Sequence, residues 1–135
     1  MSNEFADERA DLAAVLRWAA REGMQEAAGN HCSLSVSENG NQFLINPDGK
    51  YFSNLKASDL LLINLDEHTS TQQANLSAWL LHGQILQRVE SAKCVLHLHP
   101  KYATVLATLL DSTIYPVDQV SMRFYNRVAT ATEYS

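Results

Sequence analysis

Two histidines one residue apart, His97 and His99, end the apolar run Cys94-Val95-Leu96-His97-Leu98-His99, and Pro100 follows them. On an extended strand, residues i and i+2 share a face, so the two imidazoles project in parallel from one strand end. Each neutral ring offers one lone pair, and two rings held side by side on a buried strand suit a divalent metal. Pro100 lacks a backbone donor and fits the first turn of a helix, so the spacing predicts strand, then helix over 100–110. A second reading stays open from the residues alone: both rings hydrogen-bond to backbone where the strand ends.

Other elements must position that strand. Residues 4–22 carry Leu12, Val15, Leu16, Ala19 and Ala20 at helical spacing, with Asp7, Glu8, Arg9, Asp11, Arg17 and Arg21 on the other face. Ser2 or Asn3 would cap that helix, Gly23 would stop it in a left-handed conformation, and Trp18 reads as a core or interface anchor. Asn39-Gly40 is a hairpin signal between 33–37 and Phe43-Leu44-Ile45, and Asn46-Pro47-Asp48-Gly49 makes a second tight turn. Antiparallel pairing brings Gly29-Asn30 and this second turn together, where backbone N–H groups and polar side chains offer a cradle for an anion. Two ordinary turns would give the same spacing.

Residues 53–59 form a polar connector, and 60–65 are apolar enough for a central strand buried on both faces. A polar loop over 67–74 leads to a second long helix over 76–89, where His82 reads as a packing or solvated residue. Beyond the third helix, 117–125 suggests a short helix and 126–129 the start of a strand. Asp59, Asp66 and Asp118 read as turn or capping residues, Cys32 and Cys94 as buried thiols.

Composition narrows the function classes. A chain of 135 residues, 46% hydrophobic and 19% charged, fits one globular domain. A net charge of -5 argues against nucleic acid, which wants a basic face. No apolar run approaches the ~20 residues that cross a bilayer, and the N-terminus lacks a basic-then-apolar leader pattern. Two cysteines without Cys-x-x-Cys spacing fit a reducing cytoplasm.

Gly29-Asn30, the turn at 43–49, residues 55–66, and Trp79-Leu80-Leu81-His82 leading to the paired histidines occur in an order and spacing that resemble the class II aldolase and adducin family across 8–129. The resemblance implies an α/β fold of three layers, α/β/α, around a mixed, largely antiparallel sheet. It implies one family domain over 1–135, corresponding to the front portion of the usual domain. A divalent metal, zinc in the family's enzymes, polarises the carbonyl and hydroxyl of small sugar phosphates or related hydroxy-carbonyl compounds. By resemblance His97 and His99 match the first two metal ligands, while Gly29, Asn30, Asn46, Gly49 and Ser77 match the groups that receive the substrate's phosphate. The third histidine of the family falls beyond Ser135, and none of His31, His68 and His82 matches it. The family's acid/base glutamate is Ala78 here, so no catalytic residue is assigned. That places the adducin-like branch nearer and makes a non-catalytic scaffold or oligomerisation domain the alternative to a metal-dependent lyase. The family also implies a homo-oligomer, commonly a tetramer.

Overall fold

The computed structural model describes residues 4–67 and 74–131, and within the second helix it leaves out the side chains of residues 76 and 77. It divides into two compact units, residues 1–100 and 101–135. In the first, helix α1 (Ala6–Arg21) precedes the hairpin β1 (His31–Ser35) and β2 (Gln42–Ile45). Two 3-10 turns, Phe52–Asn54 and Ala57–Asp59, lead to β3 (Leu61–Asn64), helix α2 (Leu76–Arg88) and β4 (Cys94–His97).

The four strands form one sheet in the order β3-β2-β1-β4. All three pairings are antiparallel, so the sheet among the described residues has none of the parallel component expected of a mixed one. Strand alternation sorts its side chains into two layers. Cys32 and Leu44 face a core with Leu12, Ala13, Leu16 and Ala19 of α1 and with Phe52, Leu55 and Leu60. Phe43, Ile45 and Ile63 join Ala74, Ala78 and Leu86 in a second core on α2. A helix therefore covers each face, which gives the α/β layering expected.

Local signals account for the turns. Gly23 takes φ +69° and ends α1, with Gly23 N–H bonded to Ala20 O and Met24 N–H to Ala19 O. Gly40 takes φ +72° in the hairpin, and a Cβ there would lie 2.2 Å from the Leu86 carbonyl oxygen, so this glycine also lets α2 approach. Asp59 accepts from Lys56 N–H and Asp118 from Ser121 N–H, the turn roles expected of them, whereas the Asp66 carboxylate accepts from the side-chain amide of Asn41, 25 residues away.

Several expectations are corrected. Residues 61–64 are an outer strand of this sheet rather than a central one, and only Ile63 is buried. β4 is likewise outermost, with Cys94 and Leu96 exposed, so Cys94 is no buried thiol. Trp18 is 58% exposed, which removes the core reading and leaves that of an interface anchor. The buried line of α2 is Ala78, His82 and Leu86, while Leu80 and Val89 face outward. Spacing by i+4 puts those three on one face, so of the two readings of His82 its burial bears out packing.

In the second unit, α3 (Lys101–Ala107) fits the helix expected after Pro100. Only a 3-10 turn, Ser121–Phe124, forms within 117–125, and 126–129 is not a strand. None of this unit's described residues is buried, and Tyr102, Leu110, Val117 and Val120 stand open. The N-cap of α1 is Phe5, with no side-chain cap hydrogen bond, rather than the expected Ser2 or Asn3; those two residues, and most of the 67–74 loop with His68, lie outside the described residues.

Candidate metal and ligand site

His97 is the last residue of β4 and His99 lies two beyond it, held by His99 N–H to Met24 O. Their Nε2 atoms face each other at 2.9 Å, so the i, i+2 argument for parallel projection holds. His99 Nδ1–H donates to Glu26 Oε2 at 2.7 Å. A carboxylate only accepts, so this contact puts the proton on Nδ1 and leaves the Nε2 lone pair of a neutral His99 aimed at His97. Burial, and then the neighbouring His99, lower the pKa of His97 and favour its neutral, ligating form.

Two further imidazoles join them. The Cα of His31 is paired with that of His97 across the β1–β4 ladder, and their ring centroids are 4.3 Å apart. His31 Nδ1 meets His82 Nε2 at 2.8 Å, and His82 Nδ1 meets Ser33 Oγ at 2.6 Å. His82 and Ser33 are fully buried and His31 nearly so. Desolvation, reinforced by His97, brings the pKa of His31 down to about 4, and desolvation, reinforced by His31, brings that of His82 down to about 3. Both rings are therefore neutral near pH 7. The sequence carried one signal for this pairing, the i+4 spacing of His82 from Ala78 on an otherwise apolar face, and it gave no sign that the partner would be His31.

The loops expected beside the histidines do come together. Asn46 accepts from Cys32 N–H at 2.8 Å through Oδ1 and donates to the Asn30 carbonyl at 3.2 Å through Nδ2, so its amide ties the two turns to each other. Asn30 Oδ1 accepts from Glu26 N–H at 2.6 Å, while its buried Nδ2 has no protein acceptor among the described residues. A Cβ at Gly29 or Gly49 would meet nothing within 4 Å, and Gly49 has φ +71°. Open backbone and one orphaned amide donor are what an anionic or carbonyl group would need there. Asp48, in the second turn, is close enough to raise the pKa of His31 against the stronger lowering by burial and His97. Ser77 lies on α2 with its side chain outside the described residues, and Ala78 presents a fully buried methyl group.

The family described by the model for the class II aldolase and adducin N-terminal domain matches residues 10–135. The chain belongs to that family. Rat alpha-adducin is 33% identical over 105 residues, covering 73% of this chain and 14% of the adducin. A putative aldolase class 2 protein of Caulobacter vibrioides is 31% identical, covering 84% of this chain and 45% of that protein. The crystal structure of an aldolase II superfamily protein from Pseudomonas syringae superposes with a TM-score of 0.81 at 27% identity, over 96% of this chain and 53% of that one. An L-fuculose 1-phosphate aldolase from Glaciozyma antarctica superposes with a TM-score of 0.78 at 25% identity, over 87% and 49%. The chain thus spans about half or less of each relative's length.

The family's metal can be weighed against these residues. Two ligands of a tetrahedral zinc with bonds of about 2.0–2.1 Å stand about 3.3 Å apart, and the paired Nε2 atoms are already close to that separation at 2.9 Å. With Glu26 fixing the tautomer of His99, the pair fits a divalent cation as two of its donors. Among the described residues no group of three or more His, Cys, Asp or Glu side chains converges to complete the set.

Proposed function

We propose that this chain, as one family domain over 1–135, carries a metal-anchored small-molecule site of the class II aldolase type. His97 and His99 hold a divalent cation, zinc by the family resemblance, and water or groups outside this set fill its remaining positions. Bound there, the cation supplies Lewis-acid polarisation of a carbonyl or hydroxyl oxygen. Gly29, Asn30, Asn46, Gly49 and Ser77 receive the anionic end of a small hydroxy-carbonyl compound or sugar phosphate, Asn46 by holding the two turns together. The observation that carries this reading is the pair of Nε2 atoms facing each other at 2.9 Å with Glu26 behind His99. The protein acts in the cytoplasm as a homo-oligomer, a tetramer by the family resemblance.

Zinc titration of chelator-stripped protein by calorimetry tests it. One site per chain is expected, lost in His97→Ala and in His99→Ala; uptake unchanged in both variants would refute it.

A second reading, an adducin-like scaffold without catalysis, is favoured by the methyl group of Ala78 and the 33% identity to alpha-adducin. It predicts an oligomeric state indifferent to His97→Ala. Turnover of any hydroxy-carbonyl compound that His97→Ala abolishes would remove it.

A further inference from the structure

The layer between the sheet and α2 is apolar except along one line. Phe43, Ile45, Ile63, Ala78 and Leu86 fill it, yet Ser33, His82 and His31 run through it at 0, 0 and 7% exposure. A polar group buried without a partner is costly, and here each link satisfies the next, at 2.6 Å and 2.8 Å. Apolar side chains of the same shape would pack there without that risk, so the line calls for an explanation at its open end. That end is His31, beside His97 and within electrostatic reach of His99 and Asp48. Its Nδ1 is taken by His82. The two nitrogens of an imidazole diverge, so Nε2 is directed away from His82.

We propose that His31 is a ligand-contacting residue: granting the metal-anchored reading above, its Nε2 hydrogen-bonds an oxygen of the hydroxy-carbonyl compound held beside His97 and His99. His82 and Ser33 are positioning residues that set the direction of that bond. The chain of three has two neutral arrangements. In one, Ser33 Oγ–H donates to His82 Nδ1 and His82 Nε2–H donates to His31 Nδ1, which makes His31 Nε2–H a donor suited to a carbonyl or carboxylate oxygen. In the other, His82 Nδ1–H donates to Ser33 Oγ and His31 Nδ1–H donates to His82 Nε2. His31 Nε2 is then an acceptor suited to a hydroxyl. The two differ in tautomer and carry the same charge, so the site can meet either oxygen of an α-hydroxy carbonyl compound without creating a buried ion.

The test uses the full chain loaded with zinc, and glycolate as the probe, since it presents a hydroxyl beside a carboxylate. In the native protein, glycolate is expected to shift the ring 15N resonances of His31, a readout that needs no variant to fold. His31→Phe is expected to weaken glycolate binding about tenfold while zinc affinity stays within about threefold. His82→Gln, whose amide N–H can still donate to His31 Nδ1, is expected to keep glycolate affinity, and His82→Phe to lose it. Unmoved His31 resonances on glycolate binding, or native affinity in His31→Phe, would overturn the proposal. So would a parallel loss of zinc in His31→Phe, which would assign the ring to the metal. Failure of zinc-loaded protein to bind glycolate would overturn the ligand class. Failure of the underlying reading shows separately, as zinc uptake that survives His97→Ala or never occurs, and it takes this proposal with it.

Discussion

Lowering the pH from 8 to 5 in the presence of a chelator should destabilise this fold by several kcal/mol, and the cause is the neutral imidazole of His82. An unfolded histidine titrates near 6.5, whereas His82 is held down to about 3 by burial and by its neighbours His31 and His97. A base whose folded pKa is depressed binds fewer protons folded than unfolded between those two values. Stability is therefore fully present above about pH 6.5 and lost as the pH falls from there toward 3. At pH 5 the loss from His82 alone is about 2 kcal/mol. His31, held down to about 4 chiefly by burial, adds a similar amount. Carboxylates contribute little in this window, because their unfolded values lie near 4. Urea unfolding followed by circular dichroism at pH 8 and pH 5 would read the difference as a midpoint shift on the order of 1–2 M. His82→Gln keeps a donor toward His31 Nδ1 but cannot titrate, so its midpoint should fall by roughly half as much. Equal midpoints at the two pH values, or the native shift in His82→Gln, would refute the claim that these rings are buried neutral.

The remaining expectations are simpler to check. Gly40→Ala combines positive φ with a Cβ 2.2 Å from the Leu86 carbonyl oxygen, so it should cost about 2 kcal/mol or more in thermal or urea unfolding. Leu16→Ala, at a site with no exposure in the α1 core, should cost about 2–5 kcal/mol by the same measurement. A thiol reagent should modify exposed Cys94 first. Cys32 is buried and burial pushes its thiol up to about 12, so in kinetic assays it should react only on unfolding. Lys50→Ala removes the 2.7 Å contact to Asp59, a partly exposed ion pair, and should shift stability by less than about 1 kcal/mol.

Local chemistry made much of this protein legible from its residues. Gly23 and Gly40 had to supply left-handed turns, and the apolar spacing of Leu12, Leu16 and Ala19 had to bury one face of a helix. These follow from backbone geometry and periodicity within a few residues, so no distant contact was needed to decide them. Antiparallel pairing even predicted that Asn30 and Asn46 would meet. Sheet position was a different matter: residues 60–65 are as apolar as a central strand, yet β3 and β4 are outermost, because strand order depends on which segments pair across the whole chain. The partnership of His82 with His31 and Ser33 was decided the same way. A histidine on a helix 51 residues from its partner carries no sequence mark of that partner, and only the packing of α2 against β1 turns three separate polar residues into a buried hydrogen-bonded line beside His97 and His99.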